Sequence, residues 1–280
     1  MVHEFKSTMD RNFVNGYLGI DESYKMPERM MELLLNAEER EKMFDAFSAE
    51  NPDMTGDLWH EYFQDEQGDR NALKQDFTPM EICQLVAEIT PEAESYADVC
   101  AGTGGLTIAL HNRFPDAYYH LEEISERTIP ILLFNLAIRN INAEVINGDS
   151  LEQTAKHYYR VVPGRKYGLI DEVDGLEPRS FGAVVSNPPY IASEEIKSLD
   201  PSVKDFEPVW ALDGGEDGLK FYKSIIKYWK SLLRPGGWLL FEVGEGQSAD
   251  VRDMLRSAGF DYTSTRTDTL GIERVVFGRI

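Results

Sequence analysis

The sequence predicts an α/β fold in which a mostly parallel sheet carries helices on both faces, preceded by a small helical N-terminal region. Three observations lead there. Strand-like and helix-like segments alternate from about residue 73 to the end, several strands are short apolar runs such as "GAVVSN" and "WLLFEV", and residues 1–72 show helical spacing only. A chain of 280 residues can bury a sizeable core, and its hydrophobic fraction of 42% with mean hydropathy −0.37 is that of an ordinary globular protein.

In residues 1–72 two amphipathic stretches stand out. Met30, Leu34, Met43, Phe44 and Phe47 recur at helical spacing in "PERMMELLLNAEEREKMFDAF", and Leu58, Trp59, Tyr62 and Phe63 form one stripe in "DLWHEYFQDE". The second region, 73–280, opens at "QDFTPMEICQLVAEI", where Thr78 as cap, Pro79 at the first position and Glu81 predict a capping box and a helix. There follow a strand at "SYADVC", a helix from Leu106, a strand at "AYYHLEE", a helix from Ser125 to about Asn140, and strands at "AEVIN" and "GAVVSN". The helix "EDGLKFYKSIIKYWKSLL", the strand "WLLFEV", the helix "ADVRDMLRSAG" and two closing β segments complete the pattern.

Composition excludes several function classes. No uncharged apolar run is long enough to span a bilayer, and "MVHEFKSTMD" lacks the apolar core of a secretory signal, so a cytoplasmic protein without a membrane partner is expected. Cys83 and Cys100 fit no metal-ligand spacing, and the histidines His3, His60, His111, His120 and His157 are scattered, so no metal is assigned. The net charge of −21 works against a phosphate-tracking surface and predicts a solvated, acidic one.

The chemistry concentrates at strand ends, where open sheets of this type bind ligands. In "ADVCAGTGGLTIAL" Gly102 and Gly104 form a strand-to-helix turn that a ligand can approach closely, while Thr107 stands where a dinucleotide fingerprint needs a third glycine. Glu122 and Glu123 end the next strand, where a carboxylate accepts from ribose hydroxyls; Glu123 is expected to do so and Glu122 to be exposed. Asp149 ends the third strand and is either an acceptor for an adenine amino group or the anchor of an Asx-type turn. The string Asn187-Pro188-Pro189-Tyr190 ends the fourth. Its prolines lack N–H groups and stiffen the backbone, so the segment presents acceptors. Asn187 Oδ1 and the Pro188 carbonyl can take both hydrogens of a planar NH2 group, aiming the nitrogen lone pair at an electrophile, while Tyr190 stacks on the substrate plane.

At these residues the chain resembles the class I S-adenosylmethionine-dependent N-methyltransferases of the NPPY type, which implies a Rossmann-like sheet and methyl transfer to a planar amino or amide nitrogen. "KQDFTP", "ADVCAGTGGLTIAL", "EEIS" and "INGDSL" look like adenine-N6 DNA methyltransferases. "NPPYI", "FEPVWALDGGEDGLKFY", "LLRPGGWLLFEVGEGQ" and "DTLGIERVVFGR" look like protein-(glutamine-N5) methyltransferases that modify peptide chain release factors. The resemblance implies that Asp98, Ala101, Gly102, Thr103, Gly104 and Glu123 bind S-adenosyl-L-methionine, with Asp149 at its adenine and Phe77, Thr78 and Pro79 at its methionine end. Asn187, Pro188, Pro189 and Tyr190 would hold the substrate, Asn187 also lying beside the cofactor. Cys100 and Ser150 depart from the glutamine enzymes, which carry a glycine and commonly an aromatic residue there. A release-factor glutamine is the favoured substrate and partner, DNA adenine the alternative; a non-catalytic interaction protein with this fold is the third reading.

Overall fold

The computed structural model describes residues 9–59, 62, 78–196 and 209–280. Three helices lead: α1 (Arg11–Leu18), capped by the Asp10 side chain; α2 (Met26–Leu35); and α3 (Ala37–Glu50), where Asn36 accepts from the Glu38 and Glu39 amides. Of the second predicted stripe, Leu58, Trp59 and Tyr62 are buried, and Phe63 lies outside the described residues.

Helix α4 (Met80–Ile89) leads to β1 (Ser95–Val99), α5 (Gly105–Arg113), β2 (Tyr118–Glu123), α6 (Ile129–Ile138) and β3 (Ala143–Asp149). The hairpin β4 (Thr154–Val162) and β5 (Leu169–Val173) follows, then β6 (Phe181–Ser186), α7 (Lys220–Trp229), β7 (Leu233–Glu242), α8 (Ser248–Ser257), β8 (Tyr262–Thr267) and β9 (Glu273–Arg279). Among the described residues nine strands form one sheet in the order β5-β4-β3-β2-β1-β6-β7-β9-β8. Only its centre, β3-β2-β1-β6-β7, is parallel; the β4–β5 and β8–β9 pairs extend it antiparallel on either side. The expectation of a mostly parallel sheet therefore holds for the core and not for the flanks.

Helices cover both faces. Tyr222, Ile225, Ile226 and Trp229 of α7 line one side of that helix and pack with Val251 and Leu255 of α8 against Val99, Val184 and Phe241. On the other face α4, α5 and α6 pack against Tyr96, Val185 and Leu240. Every residue of α6, "IPILLFNLAI", is buried. A helix apolar all round needs cover on its outer side as well, and the N-terminal helices supply it. Phe134 meets Phe44, Phe47 and Trp59 edge-on at ring distances of 5.2, 5.0 and 5.1 Å. Residues 9–59, Tyr62 and the sheet thus share one continuous apolar cluster.

Two boundaries differ from expectation. The helix predicted from Ser125 begins at Ile129, because the Ser125 hydroxyl and carbonyl accept from Thr128 and form a turn instead. The helix predicted over 216–233 is α7 alone, and β7 begins at Leu233, before Pro235 and the glycine pair.

Candidate active site

Strand order reverses between β1 and β6: chain order runs outward from β1 through β2 and β3, then resumes on the other side with β6 and β7. A crevice opens at such a switch point, at the carboxyl ends of the two strands. The glycine turn follows β1 and Asn187-Pro188-Pro189-Tyr190 follows β6, so both motifs flank the same crevice.

The turn is built from left-handed residues. Cys100, Gly102 and Gly104 have φ of 63°, 55° and 91°. A Cβ on Gly104 would lie 2.8 Å from Leu132 Cδ1, whereas one on Gly102 would meet nothing within 4 Å among the described residues, which leave the space beside Gly102 open. Glu123 turns into this region, 7% exposed, its carboxylate accepting from the Gly102 amide at 2.8 Å and the Ser125 amide at 2.7 Å. Burial pushes its carboxyl up, and the backbone N–H bonds oppose that shift. Glu122, expected to be exposed, points to the opposite face with only 12% side-chain exposure, 3.5 Å from His120 Nε2. The alternation of β2 decides the pair: Tyr119, Leu121 and Glu123 are buried and the residues between them partly exposed.

Asp98 sits on β1 beneath the turn, 2% exposed. Thr107 Oγ1 donates to its Oδ2 at 2.7 Å, which gives the residue in the third-glycine position a role. Asp98 Oδ1 is buried with no partner among the described residues. Burial pushes this carboxyl up to about 7 against the Thr107 bond. Glu242, at the end of β7, is a second such acid: 5% exposed, Oε2 without a partner among the described residues, and pushed up to about 7 by burial, with Arg274 opposing.

Two predicted contacts differ. Thr78 does not cap α4; the helix begins at Met80 with Pro79 as the capping position and no side-chain cap. Its hydroxyl instead accepts from Asn187 Nδ2 at 2.9 Å, joining the predicted methionine-end segment to the substrate motif. Thr103 does not offer its hydroxyl to the crevice, since Oγ1 donates to Asp57 Oδ2. Asp149 Oδ1 accepts from the Leu151 amide at 2.8 Å and the Glu152 amide at 3.2 Å, the Asx-type turn among the two readings of that residue. Phe77 lies outside the described residues.

Tyr190 has a seat that single-residue reading missed. A Cβ on Gly214 would lie 2.8 Å from Tyr190 Cα, one on Gly218 2.5 Å from Tyr190 O, and one on Gly244 2.9 Å from Tyr190 Cδ2, so three glycines cradle it. Gln247 Nε2 donates to the Tyr190 carbonyl at 2.8 Å while its Oε1 accepts from the Gly244 amide at 3.0 Å and from Tyr222 Oη at 3.3 Å. Residues 191–193 pair with 212–215: Ile191 N donates to Leu212 O, Gly214 N to Ile191 O, and Ser193 Oγ to Asp213. The signal was present in "DGGEDG" and "GEGQ", where glycine density marks close backbone approach without naming what approaches.

Among the described residues, no helix is long and apolar enough to cross a membrane and no group of histidine, cysteine and acidic side chains could hold a metal. Residues 50–231 match the N-6 DNA Methylase family. A release factor glutamine methyltransferase of Geobacter sulfurreducens is 34% identical over 68% of this chain and 59% of its own length. One from Clostridium acetobutylicum is 34% identical over 64% and 56%, and one from Caulobacter vibrioides 44% identical over 39% and 37%. The chain thus spans less than three fifths of the length of these curated relatives. Among solved structures, a Listeria monocytogenes protein assigned to the class I S-adenosylmethionine-dependent methyltransferases superposes with a TM-score of 0.53 at 15% identity, covering 96% of this chain and 84% of that one, a likeness of fold.

Proposed function

Because the chain belongs to the N-6 DNA Methylase family, we propose that it is a cytoplasmic S-adenosylmethionine-dependent N-methyltransferase whose acceptor is the side-chain amide of a glutamine in a peptide chain release factor. The observation that carries this reading is the bond from Asn187 Nδ2 to Thr78 Oγ1. It fixes the amide so that Oδ1, an acceptor, is left for a substrate.

The crevice suits the cofactor. The space beside Gly102 and the buried Asp98 Oδ1, the one open and the other without a partner among the described residues, match a ligand that carries positive charge and passes close to backbone. Asp98, Ala101, Gly102, Gly104 and Glu123 would hold it on the β1 side, Asp149 at its base, and Thr78, Pro79 and Asn187 on the other side; Thr103 would contribute backbone only. Ile124, 40% exposed directly after Glu123, offers an apolar wall. When bound, the cofactor supplies an electrophilic methyl group on a sulfonium.

An amide nitrogen is a poor nucleophile because its lone pair is delocalised into the carbonyl. Asn187 Oδ1 and the Pro188 carbonyl accept its two hydrogens, hold the NH2 in one orientation and draw electron density toward nitrogen. Tyr190, held by its glycine cradle and Gln247, fixes the substrate plane. No strong base is needed before the N–C bond forms; the methyl's bond to sulfur would break in the same step with its electron pair staying on sulfur, and the surplus nitrogen proton would pass to water afterward.

The release-factor choice is supported by the names of the relatives and by the acidic charge of the chain, which suits a basic protein surface better than phosphates. A second reading, adenine N6 in DNA, is favoured by the family match, because the same acceptors fit an exocyclic amino group. Tritiated methyl transfer offered in parallel to a release factor, to the same factor with its target glutamine changed to alanine, and to unmethylated DNA separates them. Label in the first alone supports the proposal; label in DNA alone overturns it in favour of adenine. Calorimetry that finds no S-adenosylmethionine binding would leave the non-catalytic reading.

A further inference from the structure

Asp57 lies in the loop after α3 and is 8% exposed. Both its oxygens are engaged. Oδ1 accepts from the Trp59 amide at 3.0 Å and from Asn135 Nδ2 at 2.9 Å, and Oδ2 accepts from Thr103 Oγ1. Asn135 Nδ2 also donates to the Thr103 carbonyl at 2.9 Å. Thr103, the residue between the left-handed Gly102 and Gly104, is therefore gripped at both hydroxyl and carbonyl by the buried Asp57 and Asn135.

The loop carrying Asp57 is itself pinned. Arg139 Nε donates to Met54 O at 2.8 Å, its second terminal nitrogen donates to Gly56 O, and the first donates to Asn135 O and Oδ1, both at 2.9 Å. Asn112 of α5 donates to Thr55 O at 2.8 Å, and Trp59 packs edge-on to Phe134 at 5.1 Å. Removing the Asp57 carboxylate from water offsets much of what its hydrogen bonds return, so the arrangement contributes more to fixing one geometry than to stability. Two glycines at positive φ have wide conformational freedom, and their turn needs an outside constraint to hold one shape.

Accordingly, we propose that Asp57 is a positioning residue for the glycine turn, so that cofactor affinity depends on residues 51–59 being docked and, reciprocally, cofactor binding tightens that docking. This rests on the reading of the turn as the cofactor seat.

The test compares Asp57→Ala and Asp57→Asn with the native protein. Asp57→Ala should raise the Kd and KM for S-adenosylmethionine about tenfold or more, while kcat at saturating cofactor and KM for the methyl acceptor stay within about twofold. Asp57→Asn, which retains an acceptor, should fall between. In the native protein, cofactor should slow hydrogen exchange of the amides of residues 54–59, and Asp57→Ala should lose that protection. The exchange arm decides the matter even if Asp57→Ala fails to fold. Unchanged affinity in a folded Asp57→Ala protein, or no added protection of 54–59 in native protein that binds cofactor, overturns the inference alone. Native protein that does not bind S-adenosylmethionine overturns the cofactor reading beneath it.

Discussion

Protonating Asp98 should weaken cofactor binding with a slope set by its burial. An ordinary aspartate titrates near 3.8, and burial carries this one to about 7. A cationic cofactor beside the unpartnered Oδ1 favours the ionised form, so binding below pH 7 must first displace a proton. At pH 6 about nine tenths of the ligand-free sites are protonated, which makes affinity about tenfold weaker than at pH 8, or about 1.4 kcal/mol. At pH 7 the loss is about twofold. The stability sign is opposite. Since the folded value is raised, this group's stabilising contribution is full below 3.8 and is lost as pH rises through about 7. Ligand-free protein on this account is less stable at pH 8 than at pH 5, by about 2.7 kcal/mol. Cofactor therefore stabilises most at alkaline pH. Titration calorimetry at pH 6, 7 and 8, repeated in buffers of different ionisation heat, should show release of close to one proton at pH 6. Asp98→Asn should bind more weakly at pH 8 and lose the slope, whereas Glu242→Gln should keep it. A native Kd that is flat within twofold across the range, or a slope that survives in Asp98→Asn, refutes the reasoning.

Asn187→Ala should abolish methyl transfer while leaving cofactor affinity within a few-fold, with Asn187→Asp nearly as damaging; tritium transfer and calorimetry on the same samples check the division, and parallel loss of both would sink it. Glu123→Ala should weaken cofactor binding by about 1.5 to 3 kcal/mol because a charge-assisted acceptor is lost, and Glu122→Ala should change little. The reverse ranking would place the wrong member of the pair in the crevice. Gln247→Leu should lower kcat with KM for cofactor unchanged, since it frees the Tyr190 carbonyl and not the glycine turn. Gly218→Ala should be more severe, because its methyl would fall 2.5 Å from that carbonyl. Equal activity of Gly218→Ala and native enzyme would show that the cradle is dispensable.

The legible parts were those where residue type is restrictive. Glycines at 102 and 104 and the paired prolines each have few alternative explanations, and the structure puts the two motifs at one switch point. The β4–β5 hairpin was not foreseen. "TAKHYYRVV" is exposed through its first half, so it shows neither a buried run nor a clean alternation, and its pairing with β3 is decided by tertiary contact. Thr78 carried a good capping signal locally, yet a residue 109 positions away claims its hydroxyl. Asp57 and Gln247 were invisible for the same reason: their partners come together only when the sheet is assembled. Glu122 and Glu123 show a milder limit, because alternation assigns them to opposite faces but both faces of this sheet are covered.

Helix α6 has a bearing on how the chain is made. Its ten residues contain no charge and are all buried, and Phe44, Phe47 and Trp59, in segments more than seventy positions earlier, pack against its Phe134. During synthesis those segments leave the ribosome first, so the cover for "IPILLFNLAI" is waiting when the helix emerges. Deleting them would leave an oily cylinder on the outside of the sheet, a surface of the kind that drives self-association. A truncated chain beginning near residue 73 should accumulate in inclusion bodies with every residue of its crevice motifs intact.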